Sequence, residues 1–159
     1  MLTGKEIAKS GMIQNYLEEN IQQVGIDVRL KEIIKLEPET VNCVPREGKT
    51  HVGFVKEPYN LKSLGKITLE PGYYEITFME GCKIPKNGAM YYKTRSSLVR
   101  CGCSVHSGMF DPGFETEFMG AFLEVRFPIT LEYGSRLAQV IIEECNTVEN
   151  LYNGQWQNS

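Results

Sequence analysis

The sequence predicts an all-β fold of the sandwich, jelly-roll or barrel kind, preceded by one short helix. Three observations carry that expectation. From Ile26 onward most of the chain reads as short runs in which apolar and polar residues alternate, the period of a strand with one buried face. Turn signals such as Glu70-Pro71-Gly72 and Asn87-Gly88 separate these runs. Clear helical signal is confined to "TGKEIAK", residues 3 to 9, where Thr3 as N-cap and Glu6 three positions on form a capping-box pattern.

Taken in order, that helix ends near Ser10 and Gly11. Val28, Leu30, Ile33, Ile34 and Leu36 then suggest strands broken by Pro38 and Pro45. Residues 43 to 66 are rich in Pro, Gly, Lys and Asn and read as loop. "KITLEPGYYEITF" is two alternating runs joined at Pro71-Gly72, and "CKIPKNGAMYYKT" follows with its own tight turn. "FMGAFLEVRFPITLEYGSRLAQVIIEEC" supplies two or three further strands, with breaks near Pro128 and Gly134. The tail "NTVENLYNGQWQNS" is polar with two aromatics, which suggests an arm rather than core. The expected organisation is one domain over 1–148 and an arm over 149–159.

Composition narrows the function classes. A chain of 159 residues, 42% hydrophobic and 23% charged, fits a single domain with a real core. Its longest apolar runs, such as Val140 to Ile142, are too short to span a bilayer, and no leader-like segment opens the sequence, so a cytoplasmic protein with no membrane partner is expected. A net charge of −3 argues against a general nucleic-acid surface but not against a small anion held by a few arginines. Five cysteines without a CxxC pair read as free thiols in a reducing compartment. Cys101 and Cys103 would share a strand face, but with only His106 nearby they do not make a zinc site.

The chemistry concentrates in "RSSLVRCGCSVHSGMFDPGF", residues 95 to 114, too polar for an ordinary strand core. Arg95 and Arg100 offer planar donor forks that match phosphate oxygens, and Ser96 and Ser97 add short directional bonds. The plainer alternative is a helix start, with a serine capping and both arginines solvated. Asp111, set in "GMFDPGF", suits a general base at a hairpin rim, or else a turn aspartate bonded to Gly113. "GSRLAQVII" places Arg136 and Gln139 at the start of an apolar strand, and "GIDVRL" places Asp27 and Arg29 likewise.

Together GIDVRL, RSSLVR, SGMFDPGF, GSRLAQVII and the tail YNGQWQ resemble the dUTPase and dCTP deaminase superfamily. The motifs stand in the family's order from about residue 3 onward, and the N-terminal helix and NGQWQ tail are most similar to the deaminase-like branch that includes archaeal and viral dUTPases. The resemblance implies an all-β distorted jelly-roll or β-barrel of the dUTPase type, a homotrimer with shared active sites, a nucleotide substrate and a Mg2+ cofactor. It implies that Arg95, Ser96, Ser97, Arg100, Arg136 and Gln139 hold the triphosphate and that Asp111 orients the attacking water. Gly108, Met109 and Phe110 would line the nucleoside, with Phe114 under the deoxyribose. Asp27 would face magnesium-bound water, and Tyr152, Trp156 and Gln157 would belong to a lid formed by the tail.

Two reactions share this scaffold. Deaminases of the superfamily need a glutamate on the strand after the aspartate hairpin, and a gapless register puts Ala121 there. Glu124 reaches that place only through an insertion and a compensating deletion, and the odd shift turns it to the opposite face unless a bulge intervenes. Met109 stands where deaminases carry an arginine. dUTP hydrolysis to dUMP and pyrophosphate is therefore the expected activity, with dCTP deamination, both reactions together, or a nucleotide-binding relative without turnover as alternatives. Glu115 and Thr116 depart from the arginine and glycine usual in dUTPases, and Gln155 from the lysine common in deaminase-like members.

Overall fold

The computed structural model describes residues 1–157. The chain opens with α1 (Gly4–Ser10), whose capping box forms as expected: Glu6 N–H donates to Thr3 Oγ1 at 3.3 Å and Thr3 N–H donates to Glu6 Oε2 at 2.8 Å. Gly11 ends the helix in the left-handed region at φ 75°, where the missing side chain removes the steric cost. Ile7 carries the buried face of α1. Then come β1 (Ile13–Gln14), a 3₁₀ turn (Glu18–Asn20), β2 (Ile26–Pro38), β3 (Phe54–Tyr59) and α2 (Leu61–Leu64). The rest is β4 (Lys66–Leu69), β5 (Gly72–Phe78), β6 (Gly81–Lys83), β7 (Gly88–Thr94), α3 (Ser96–Arg100), β8 (Cys103–His106), β9 (Glu115–Thr116), β10 (Gly120–Val125), β11 (Ile129–Glu132) and β12 (Arg136–Glu144).

The central antiparallel sheet runs β7-β12-β2-β5-β10-β8, with β3 also paired to β2. Smaller sheets join β1-β6-β9 and β4-β11. Among the described residues the ladder does not close into a full barrel, and the antiparallel sheets have the jelly-roll character that the sequence predicts. The two ends of the path still meet: Thr94 Oγ1 accepts from Val105 N–H at 2.9 Å and donates to Val105 O at 3.4 Å. Side-chain bonds fill the seam where a backbone ladder would close a barrel, leaving a distorted jelly roll. Ile26, Val28, Leu30, Ile33, Ile76, Phe78, Met90, Leu123, Val140 and Ile142 form the fully buried centre.

One difference from the sequence reading, and two strand pairings that it left open, have one cause. Residues 43 to 66 are not all loop, because β3 pairs with the outer half of β2, from Ile33 opposite Tyr59 to Pro38 opposite Phe54. Every residue of β3 is at least partly exposed, so it shows no alternation and is held by backbone bonds. The runs joined at Pro71-Gly72 do not pair with each other: β4 pairs with β11, while β5 lies between β2 and β10. Likewise β6 and β7 enter different sheets. Alternation records which face of a strand is buried; it does not name the neighbour.

Candidate active site

At one end of β7 the arginine–serine motif folds as α3, anchored by buried Leu98. Arg95 is its N-cap and makes no side-chain cap bond, so neither serine caps the helix. Ser96, Ser97 and Arg100 are exposed and carry no ion pair among the described residues. Arg95 is not simply solvated. Its Nε lies 3.0 Å from Asp27 Oδ2, and Arg136 Nη1 lies 3.3 Å from the same oxygen. Asp27 is only 2% exposed. Burial pushes its carboxyl above the usual carboxylate range, against the pull of the two guanidinium groups.

The strand ladder explains this meeting. Gln139 on β12 stands opposite both Asp27 on β2 and Lys93 on β7, which puts the starts of β2 and β12 beside the end of β7. Arg95 N–H donates to Leu137 O at 3.1 Å, and Arg95 Nη1 donates to Arg136 O at 3.3 Å. Gln139 Nε2 donates to Val24 O. The structure thus brings Arg95, Arg136, Gln139 and Asp27 together beside the exposed serines of α3.

The aspartate hairpin lies at the other end of β7. Phe110 pairs with Met90, five positions before Arg95. At the rise of a strand, that separates the hairpin from the arginine cluster by about 16 Å. Phe110 is buried, with its ring 5.2 Å from Tyr92 and 5.2 Å from Phe114, both edge-on. Gly108 and Met109 are exposed on the approach to it. The turn bond from Asp111 to Gly113 does not form, because Gly113 N–H donates to Ile84 O at 2.9 Å. Asp111 itself is exposed, and its carboxylate makes no hydrogen bond or ion pair among the described residues.

The tail folds back over this hairpin. Tyr152 N–H donates to Pro112 O at 2.7 Å and its ring packs edge-on against Phe114 at 5.5 Å. Gln157 Oε1 accepts from Glu115 N–H at 3.1 Å, and its Nε2 donates to Gly113 O at 2.9 Å. Trp156 N–H reaches the Tyr152 hydroxyl at 3.2 Å while its indole stays half exposed. Gln155 turns the other way, onto Thr50. The last two residues of the expected arm, 158 and 159, lie outside the described residues.

β10 separates the two candidate chemistries. Its register runs unbroken from Gly120 to Val125 against β5, and from Phe122 to Val125 against β8. Ala121, Leu123 and Val125 are buried, while Glu124 points away from them. There Glu124 Oε2 lies 2.9 Å from His106 Nε2, and Oε1 lies 3.1 Å from Arg126 Nε. The His106 bond, then the Arg126 bond, hold its carboxyl below the usual range.

Sequence reasoning placed Arg29 in the GIDVRL motif without a partner. Glu80 is fully buried, accepting from Arg29 N–H at 2.8 Å and from Arg29 Nε at 2.6 Å. Arg29 Nη2 also donates to Asn15 O at 2.6 Å. Nothing in Met79-Glu80-Gly81 marks a core carboxylate, because partner and burial arrive only with the fold. No cluster of three or more His, Cys, Asp or Glu able to hold a metal occurs among the described residues. No helix among them is long and apolar enough to cross a membrane.

The antiparallel β fold thus carries an arginine–serine cluster at one end of β7 and, at the other, a carboxylate with no partner among the described residues. Residues 2–145 match the dCTP deaminase-like family, and the chain belongs to that family. It is 35% identical over 156 residues to the deoxyuridine 5′-triphosphate nucleotidohydrolase of Methanocaldococcus jannaschii, covering 97% of each chain. It is 29% identical over 167 residues to a probable deoxyuridine 5′-triphosphate nucleotidohydrolase of Aeropyrum pernix, covering 98% of this chain and 96% of that one. Among solved structures it resembles the 2′-deoxycytidine 5′-triphosphate deaminase of Agrobacterium tumefaciens with a TM-score of 0.71 at 19% identity, over 91% of this chain and 48% of that one. That likeness concerns the fold.

Proposed function

We propose that this protein is a dUTP nucleotidohydrolase that releases dUMP and pyrophosphate, with Asp111 directing the attacking water. The near full-length similarity to nucleotidohydrolases supports the substrate. The observation that carries the choice of reaction is Ala121, which is buried and cannot act as the acid and base a deaminase needs. Glu124, on the opposite face and engaged by His106 and Arg126, does not replace it.

The water oxygen attacks the α-phosphorus, the α–β bridging bond breaks, and pyrophosphate leaves while the water's proton passes to Asp111. Asp111 suits this role because its carboxylate is exposed and has no partner among the described residues. Arg95, Arg100 and Arg136, with Ser96, Ser97 and Gln139, neutralise and orient the phosphates. Gly108, Met109, Phe110 and Phe114 shape the nucleoside side, and Tyr152, Trp156 and Gln157 cover it.

The residues present fit magnesium carried chiefly by the nucleotide. Such an ion would keep several waters, with Asp27 facing it through water, rather than sit in a dedicated cage. When bound it neutralises charge on the leaving pyrophosphate.

A homotrimer with shared sites follows the same reading. A backbone separation of about 16 Å between Arg95 and the hairpin within one chain suits a site in which a neighbouring copy supplies one half.

The test incubates protein and magnesium with dUTP or dCTP and assays pyrophosphate and ammonia. Pyrophosphate from dUTP, lost by about a hundredfold or more in Asp111→Asn while a non-hydrolysable dUTP analogue still raises the melting temperature, is the expected result. Ammonia from dCTP would overturn it.

A further inference from the structure

Within the tail, Gln155 and Gln157 make the same kind of bond to two different walls. Each primary amide accepts from one backbone N–H and donates to a backbone carbonyl oxygen, Gln157 to that of Tyr152 at 3.3 Å as well as to the hairpin. Gln157 does so on Glu115 and Gly113 of the aspartate hairpin. Gln155 does so on Thr50: Thr50 N–H donates to its Oε1 at 3.1 Å, and its Nε2 donates to Thr50 O at 3.1 Å. The turn at 154–157, closed by Gln157 N–H on Gly154 O at 3.2 Å, holds the two amides in these opposed directions.

Thr50 belongs to the lobe between β2 and β3, which none of the phosphate, aspartate or nucleoside motifs touches. The lobe is self-contained at its base. Cys43 and His51 exchange backbone bonds at 2.9 Å, Thr40 Oγ1 meets His51 Nε2 at 2.7 Å, and Gly53 N–H donates to Asn42 Oδ1 at 2.6 Å. Its tip, 44 to 50, carries exposed Arg46 and Lys49. The tail is fixed to the hairpin by several contacts, including the Tyr152 ring on Phe114. Among the described residues, the side-chain bonds that fix it to the lobe are those of Gln155 alone.

We infer that Gln155 is a positioning residue that makes the 40–53 lobe a second support for the tail over the nucleotide site, so that the tail closes on the lobe and the hairpin together. This rests on the nucleotide reading of the hairpin. The amide suits the task because a lysine has no acceptor for the Thr50 N–H, whereas glutamine serves both backbone groups. Two bonds of this kind order the lobe only while the tail is seated, which links lobe and nucleotide through the tail without a direct contact.

The test compares wild type, Gln155→Ala and Gln155→Glu by limited trypsin digestion at Arg46 and Lys49 and by dUTP kinetics. Digestion without nucleotide reads the clamp independently of any activity. Gln155→Ala is expected to speed cleavage at both sites, to raise KM for dUTP about tenfold, and to lower kcat less than twofold. Gln155→Glu, which keeps the acceptor and loses the donor, should fall between the two. Unchanged cleavage, or faster cleavage with unchanged KM, would overturn the inference. If a non-hydrolysable dUTP analogue does not raise the melting temperature of wild type, the nucleotide reading fails instead, whatever the digestion shows.

Discussion

Ala121 and Glu124 lie on opposite faces of β10, three positions apart on a strand whose ladder has no bulge. Ala121 is 4% exposed and stands opposite Ile76, whereas Glu124 stands opposite Tyr73 on the outer side. Because side chains alternate along a strand, no small adjustment brings Glu124 into the place of Ala121. Bringing Glu124 onto that face would take a bulge, and β10 contains none.

Glu124→Gln is therefore expected to leave pyrophosphate release from dUTP within about twofold of wild type, an effect of surface size. A loss of a hundredfold would place Glu124 in the chemistry after all. The converse change, Ala121→Glu, buries a carboxylate without a partner and should cost more than about 2 kcal/mol, read as a lowered melting temperature.

Asp27 joins Arg95, the N-cap of α3, to Arg136 at the start of β12, and its removal leaves both without their common anion. The arginines are partly exposed, so solvent screens part of the loss. Asp27→Ala should cost about 1–3 kcal/mol of stability. It should also weaken the binding of a non-hydrolysable dUTP analogue more than that of dUMP, because the phosphate donors lose their fixed positions. Isothermal titration of both ligands decides this; equal weakening would mean that Asp27 serves only folding.

Glu80 gives stability a pH dependence of definite sign. Burial pushes its carboxyl above the ordinary range, outweighing the bonds from Arg29. A carboxyl raised in the folded state keeps its proton to higher pH than in the unfolded chain. Its contribution to stability is thus largest below the ordinary carboxylate range and is lost as pH rises through the folded value. Glu80→Gln copies the protonated form, so the variant should gain on wild type as pH rises from about 4 to 8. Asp27, raised in the same direction, is common to both proteins and drops out of the difference. A melting-temperature gap that stays constant across the range would contradict the assignment.

Gly113 tests the seat of the tail. It sits at φ 92°, and a Cβ there would lie 2.6 Å from Leu151 Cβ. Gly113→Ala should cost about 1 kcal/mol or more from the backbone alone and should also displace Leu151 and Tyr152 from the hairpin. Faster proteolysis of the tail and a raised KM for dUTP are the expected readings.

The candidate residues were legible in the sequence, because guanidinium forks, hydroxyls and a carboxylate in ordered motifs are local signals. What those residues do to one another was not. Asp27 and Arg136 are far apart in the chain and meet only because β12 pairs with β2. The Asx-turn alternative for Asp111 failed because Gly113 gives its N–H to Ile84, a residue on no motif. Gln155 was visible only as a departure from a lysine, since its partner on Thr50 is 105 positions away.

By itself the sequence determined the capped first helix, the short alternating strands and the residue types at the site, since caps, strand period and motif chemistry are set within a few residues. The tertiary structure alone decided three things: that β4 pairs with β11 and not β5, that Glu80 and Asp27 are buried against arginines, and that the arginine cluster and Asp111 occupy opposite ends of β7. The reason is physical. Periodicity encodes how much of each face leaves water, whereas ladder partners, ion pairs and distances across the site depend on which strands the whole chain can bring together.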